Sequence, residues 1–477
     1  MIEDVESVMV FLRDVAEKVL RAGESLGLDG IEVYASGGLD VGCEIENGSI
    51  KKAEKSFNWG FGVRVLKEGG VGFAYATRKK DTERCVREAM RLSRINPLEG
   101  YSLPPEPGRL PDVKGVFSGD VAAMDVEDLV PMALDTVRGV ESTGSTALEG
   151  GVGTSFWAYV LLSSAGVDVS FAGTEIGGGV FSTHKNGDVS TGFHYESSCT
   201  VTPDFFEVGK KAGEMAVMGT RRVRGEKGVV PVALGPDALS SLLGIIFSPS
   251  LVGKKALRGE TYYSNRVGEV VAWDGLNVYD DPLLPGGLNT SPTDDEGVPS
   301  RKTPLIERGV LRGYLFDTED AHRFPTMPDG ERIGSTSNGL RGGYSSPPST
   351  SPRNIVFNPT ETSPPSPLEK GRKESGSGLE TLYVPEGMDH GYLVPEIMGA
   401  HTANSTSGDF SVNAPVAFVV RDGRVVGAEK GVVLAGNLFS SLQKEMLAGV
   451  DWRLVGGSFS TTCFYLPTVV AGGMRVL

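Results

Sequence analysis

Val41-Gly42-Cys43-Glu44-Ile45-Glu46-Asn47-Gly48-Ser49-Ile50 is the stretch from which the fold is read. Val41, Cys43 and Ile45 alternate with glycine and glutamate, the period-two pattern of a strand with one buried face. Asn47-Gly48 then supplies two residues that tolerate positive φ, as a two-residue hairpin turn requires. Ile31-Glu32-Val33-Tyr34-Ala35 alternates in the same way upstream. Downstream, residues 63–66 and 71–75 flank Glu68-Gly69-Gly70, a second turn.

Helices surround these strands. Val5, Val8, Leu12, Val15 and Val19 recur at three- and four-residue steps, and Gly23 and Gly27 suit the helix end. A second helix is expected over 81–95 with Asp81 as N-cap, and others over 126–140, 204–218, 236–246 and 434–448. Residues 143–201 read as strands with a hairpin at Asn186-Gly187. Residues 305–311 and 416–426 read as further hairpins. The Pro- and Gly-rich segment 96–117 reads as a crossing connection. Within the Ser/Pro/Thr stretch 345–379, residues 359–379 read as a disordered surface insertion. Helices and strands alternate too irregularly for a doubly wound parallel sheet. The expected class is α+β, with mixed or antiparallel sheets, packed helices and a β-rich C-terminal domain.

At 477 residues the chain exceeds one compact core, so two or three domains are expected, and a cationic linker at 221–227 divides it into 1–225 and 226–477. A net charge of −15 repels phosphate backbones, so no nucleic-acid partner is expected, although a local basic patch is compatible with it. Cys43, Cys85, Cys199 and Cys463 are widely separated and form no Cys-x-x-Cys pair, which fits reduced cytosolic thiols. The start lacks the basic and apolar regions of a signal peptide, and no apolar run reaches about 18–20 residues. A soluble, cytoplasmic protein with no membrane partner is the expectation.

Candidate chemistry is sparse. Gly23-Glu24-Ser25-Leu26-Gly27 matches a nucleophile elbow, but it follows a helix and precedes a strand, the reverse of the required order. Gly177-Gly178-Gly179 leads into a strand, not into the helix N-terminus a phosphate loop needs. His184 and His194 flank the Asn186-Gly187 turn. A two-residue hairpin pairs His184 with Val189 and places His194 on the other face. His390 and His401 are eleven residues apart, too far for compact helical ligand spacing. Asp294-Asp295-Glu296 reads as a turn without calcium-loop spacing, and Cys463 as a buried thiol.

Four segments together resemble the TldD/PmbA family: Asp295-Glu296-Gly297, residues 303–311, residues 314–317 and Gly399-Ala400-His401-Thr402-Ala403-Asn404-Ser405-Thr406-Ser407-Gly408-Asp409-Phe410-Ser411. The resemblance implies two domains and cytosolic peptidase assemblies of two related subunits that degrade unfolded or short peptides. One subunit carries zinc through His-Glu-x-x-x-His; the PmbA or TldE type does not. No His-Glu pair occurs in this chain. By alignment the motif falls near Gly244, Ile245 and Pro249, none of which binds zinc or acts as a base.

The resemblance therefore implies a non-zinc, PmbA/TldE-type subunit with no catalytic residue, metal or cofactor of its own. Zinc is expected in a TldD-type paralogue as partner, with peptide substrates. His401, Asn404, Thr406, Gly408, Asp409 and Phe410 are the expected substrate contacts, by strand addition. Two alternatives stay open: a stand-alone non-catalytic binding or regulatory protein, homodimeric on its own, or a divergent hydrolase with a different site. The older family label "modulator of DNA gyrase" finds little support in the acidic charge.

Overall fold

Helix α1 (Val5–Glu24) starts where the Asp4 carboxylate accepts the Ser7 amide, and it buries Val8, Leu12, Val15, Ala16 and Val19 along one stripe. That stripe lies on a six-stranded antiparallel sheet of order β3-β2-β1-β4-β5-β6 in a computed structural model of the chain. The structure describes residues 4–328, 330–360, 362–368, 382–456 and 462–477. The strands are β1 (Gly30–Glu46), β2 (Ser49–Lys67), β3 (Gly70–Ala76), β4 (Thr146–Ser163), β5 (Asp168–Asn186) and β6 (Asp188–Ser198). Helices α2 (Thr82–Ser93), α3 (Gly119–Ala123), α4 (Val126–Ser142) and α5 (Phe205–Thr220) join α1 on the same face. Val33, Phe61, Val63, Leu129 and Val160 fill the core between the layers.

The strands expected at 31–35 and 41–45 are one continuous strand, β1. Gly37 and Gly38 do not turn the chain. A Cβ there would lie 2.9 Å from Trp59 Cβ and 2.4 Å from the Phe156 carbonyl, so they permit close strand approach instead. The hairpin turns are as expected: Asn47/Gly48, Arg308/Gly309 and Asp422/Gly423 all have positive φ at both central residues.

The other face of this sheet meets the C-terminal half. That half holds a six-stranded and an eight-stranded sheet, both mixed: His390–Val394 runs parallel to Val232–Leu234, and Asn354–Asn358 parallel to Cys463–Leu466. Helix α6 (Pro236–Leu242) packs its apolar side into the core between them, with Phe247, Tyr263, Leu315, Phe357 and Phe439.

Three expectations are corrected. The helix over 434–448 is only Leu438–Leu442; residues 434–437 close the strand Arg424–Asn437, where Val432 and Leu434 are buried and Val433 and Ala435 are not. The Asn437 side chain then caps the short helix by accepting the Ser440 amide. Second, the turn at 186–188 holds one residue, Gly187, so His184 pairs with Ser190 rather than Val189. That shift puts His194 on the same face as His184. They sit four ladder positions apart, about 13 Å. His184 Nδ1 faces the Gly144 carbonyl at 3.0 Å and His194 Nε2 faces Glu196 at 2.9 Å, so they share no site.

Third, part of the expected disordered insertion is anchored. Tyr465 donates to the Pro365 carbonyl at 2.7 Å, and Asn358 donates to Thr362 O at 2.9 Å. Glu361 and residues 369–379 of that insertion lie outside the described residues. No helix among the described residues is long and apolar enough to cross a membrane.

Candidate functional site

Gly235 precedes α6, and Pro236 starts it with the φ that helices favour. After Leu242 the helix widens into a π turn over Leu243–Phe247, closed by the Ser248 amide on the Leu243 carbonyl. Pro249 explains the widening. In a regular helix its ring would collide with the Ile245 carbonyl, and it has no N–H to give. Leu243, Ile246 and Phe247 are fully buried, and Ile245 packs against the same core.

Gly244 and Ile245 thus lie in the widened turn and Pro249 just beyond it, and none of the three side chains carries a metal-binding atom. Zinc needs about three nitrogen, sulfur or oxygen ligands, so these residues do not fit it. Among the described residues no three His, Cys, Asp or Glu groups are placed to hold a metal ion elsewhere.

Aromatic rings wall this turn. Phe247 meets Tyr263 edge-on at 5.9 Å, Tyr263 meets Phe439 at 5.1 Å, and Tyr262 stacks on Phe439 at 4.0 Å. The hydroxyls of Tyr263 and Ser248 are buried without a hydrogen-bond partner among the described residues. Burial pushes the Tyr263 hydroxyl far above its usual pKa, so it stays protonated.

The expected substrate-contact segment borders this wall and is a closed turn. Asn404 Oδ1 accepts the Thr406 and Ser407 amides at 2.9 and 3.0 Å, and its carbonyl accepts the Gly408 amide at 2.8 Å. Asn437 donates to Asp409 at 2.9 Å and to the Ser407 carbonyl at 2.7 Å. The bond from Asn437 to Asp409, with one from the Ser407 hydroxyl, holds the Asp409 carboxyl below its usual range. Gly408 has φ +85°, and a Cβ there would stand 2.4 Å from the Phe439 ring. Thr406 reaches the Glu260 carbonyl at 3.3 Å. His401 is exposed on a 3₁₀ turn, and Phe410 is buried in the core. Asn404, Thr406, Gly408 and Asp409 are therefore brought together, while His401 faces solvent and Phe410 faces inward.

Sequence reading missed a buried ionic network. Arg64 on β2 donates to Glu32 on β1 and to Glu296 of the C-terminal half, both at 2.7 Å, with all three at most 1% exposed. Arg341 also bonds Glu32. Glu296 accepts the Thr318 amide at 2.8 Å and the Thr318 hydroxyl at 2.5 Å. Burial opposes the Arg64 charge, but Glu32 and Glu296 more than restore it. Burial and then Glu296 push Asp294 well above the usual carboxylate range. Burial, Glu296 and Asp320 bring Asp317 up to about 7. The Asp294-Asp295-Glu296 turn is real: Asp294 Oδ1 accepts the Glu296 and Val298 amides. Its acids serve this junction: Asp294 Oδ2 accepts the Gly339 amide, Asp295 accepts the Arg341 amide and Glu296 pairs with Arg64.

A second junction holds α6 itself. Arg453 bonds Asp237 at 3.0 Å and the Tyr195 carbonyl on β6 at 2.5 Å. Beside it, burial holds His194 down to about 4, so its neutral ring donates to Glu196. Burial alone would raise the Glu196 carboxyl; hydrogen bonds from His194 and Lys211 overcome that and hold it below the usual range. With His194 neutral, Lys211 is the cation that does so.

The description "PmbA/TldA metallopeptidase C-terminal domain" matches residues 227–477, and "PmbA/TldA metallopeptidase domain 1" matches residues 31–93. Protein MJ0231 of Methanocaldococcus jannaschii is 28% identical over 90% of this chain and 93% of its own. Metalloprotease PmbA of Escherichia coli O157:H7 is 20% identical over 94% of each chain. The crystal structure of TldE from Thermococcus kodakarensis superposes with a TM-score of 0.82 at 24% identity, covering 97% of this chain and 99% of that one. At this identity the likeness carries the fold alone. With one family description spanning more than half of its residues, the chain belongs to the PmbA/TldD metallopeptidase family.

Proposed function

We propose that this chain is the non-zinc, PmbA/TldE-type subunit of a cytoplasmic TldD/TldE-like metallopeptidase complex acting on unfolded or short peptides. In this reading the zinc belongs to a TldD-type paralogue, and the two halves, 1–225 and 226–477, are its domains. What supports it is that Gly244 and Ile245 in the π turn and Pro249 just after it, the positions the resemblance aligns with the family's zinc motif, carry no metal-binding side-chain atom. A metal-bound water and a carboxylate base have no holder there. The exposed rim of the Asn404–Asp409 turn is the place where peptide backbone would meet this subunit.

The test is co-expression with a zinc-bearing paralogue. The complex is expected to co-purify and to cleave an unfolded peptide in a chelator-sensitive way, while this chain alone does not. Failure of the two to associate, or equal cleavage by this chain alone, overturns the assignment.

A further inference from the structure

The solvent faces of α1 and α2 form a groove of about 960 Å³ whose charge opposes that of the rest of the protein. Seven cationic and two acidic side chains line it, a local charge of +5 in a chain of net charge −15. Arg84, Arg87 and Arg91 follow one another at steps of three and four, which stacks them on one side of α2, and Lys80 lies in the 3₁₀ turn just before it. Lys18 and Arg21, three apart on α1, line the same groove.

Two cationic stripes that line one groove repel each other. The carboxylates present answer this only in part. Arg91 pairs with Glu88 at 2.6 Å and Lys79 with Asp14 at 2.8 Å, while Arg84 reaches Asp81 at 3.4 Å, Arg21 reaches Glu17 at 3.7 Å and Arg87 reaches Glu83 at 4.0 Å, all on exposed cations where such pairs contribute little. Lys18 and Lys80 form no ion pair among the described residues. The groove thus holds more positive charge than its own anions balance.

We propose that this groove docks an extended acidic peptide segment of a partner protein. Arginine forks pair best with carboxylates and phosphates. Two features favour a carboxylate-bearing chain over nucleic acid. No aromatic side chain lines the groove for bases to stack on. The chain's net charge of −15 also repels any long polyanion that runs past the groove ends. Arg84 and Arg91 are about 10 Å apart along the helix axis. Successive arginines of the stripe are thus about 4.5–6 Å apart along the axis, and alternate side chains of an extended peptide recur every ~6.6 Å, a difference that the long arginine stems can span. The groove lies away from the π turn, and the inference does not depend on the peptidase assignment.

The probe is a fluorescein-labelled heptapeptide with glutamate at every second position and glycine between, followed by fluorescence anisotropy with the full chain. Binding is expected at about 50 mM salt and should weaken at least about tenfold at about 300 mM. Arg84→Glu with Arg87→Glu is expected to weaken it at least about tenfold further, and the milder Arg84→Gln with Arg87→Gln to weaken it less. Lys51→Glu with Lys55→Glu, on β2 outside the groove, is expected to leave it unchanged. No binding, binding indifferent to both groove variants, or tighter binding of a thymidine oligonucleotide of equal charge would overturn the proposal.

Discussion

Replacing Arg64 with Met is the sharpest probe of how the two halves are joined. The methionine stem keeps most of the packing but removes two charge-assisted hydrogen bonds at 2.7 Å, to Glu32 and to Glu296. Each such bond contributes roughly 1.5–3 kcal/mol. Glu32 keeps Arg341, and Glu296 keeps the Thr318 amide and hydroxyl, so neither carboxylate is fully abandoned. Both stay buried with one cation fewer, which sets the expected loss at roughly 3–5 kcal/mol. Urea unfolding followed by circular dichroism reads this as a lower midpoint. Arg13→Met is the control. Its pair with Asp168 is 36% and 59% exposed, and its loss should stay below about 1 kcal/mol. Adding Glu296→Gln to Arg64→Met should recover part of the loss, because it removes the stranded charge. If Arg64→Met costs no more than Arg13→Met, the network does not hold the halves together.

Asp317 titrates near 7 in the fold against an ordinary 3.8, so the folded chain binds its proton more tightly than the unfolded one. Stability linked to it is full below about pH 4 and is lost as pH rises through 7. Asp317→Asn, which can still cap the Thr318–Arg323 helix, should flatten that loss in thermal melts between these limits; a steeper loss refutes the assignment. His194 acts with the opposite sign. Held down to about 4 from 6.5, it contributes stability that is full above 6.5 and is lost as pH falls toward 4. His194→Gln should therefore be less acid-sensitive than the parent, and equal sensitivity counts against a buried neutral ring. Gly408→Ala meets both a positive φ and the Phe439 ring at 2.4 Å, so a loss of at least about 2 kcal/mol is expected in urea titration. An unchanged midpoint would mean that the turn is not built around this glycine.

The hairpins were legible because their chemistry is local: Asn47-Gly48, Arg308-Gly309 and Asp422-Gly423 set the turn whatever surrounds them. The full length of β2 was not, since Lys51, Lys52, Glu54 and Lys55 are exposed and give no alternation. The histidine face was lost to a single residue, Gly187, because a one-residue and a two-residue turn look alike in sequence but invert every face beyond them. At the candidate site, the apolar character of Gly244, Ile245 and Pro249 could be read directly. The Arg64 network could not. Glu32 and Arg64 look like ordinary polar strand positions, and their burial depends on Glu296, 232 residues beyond Arg64. A Glu and an Arg facing each other on neighbouring strands, Glu32 between Ile31 and Val33 and Arg64 between Val63 and Val65, were the local hint.

The central claim is that this chain carries no zinc of its own at the family's motif. Its most direct test is the metal content of the purified chain, by mass spectrometry, alongside peptide hydrolysis with and without a chelator. The account predicts zinc well below one atom per chain and no chelator-sensitive hydrolysis. One tightly held zinc per chain, with hydrolysis that stops when it is stripped, would contradict it.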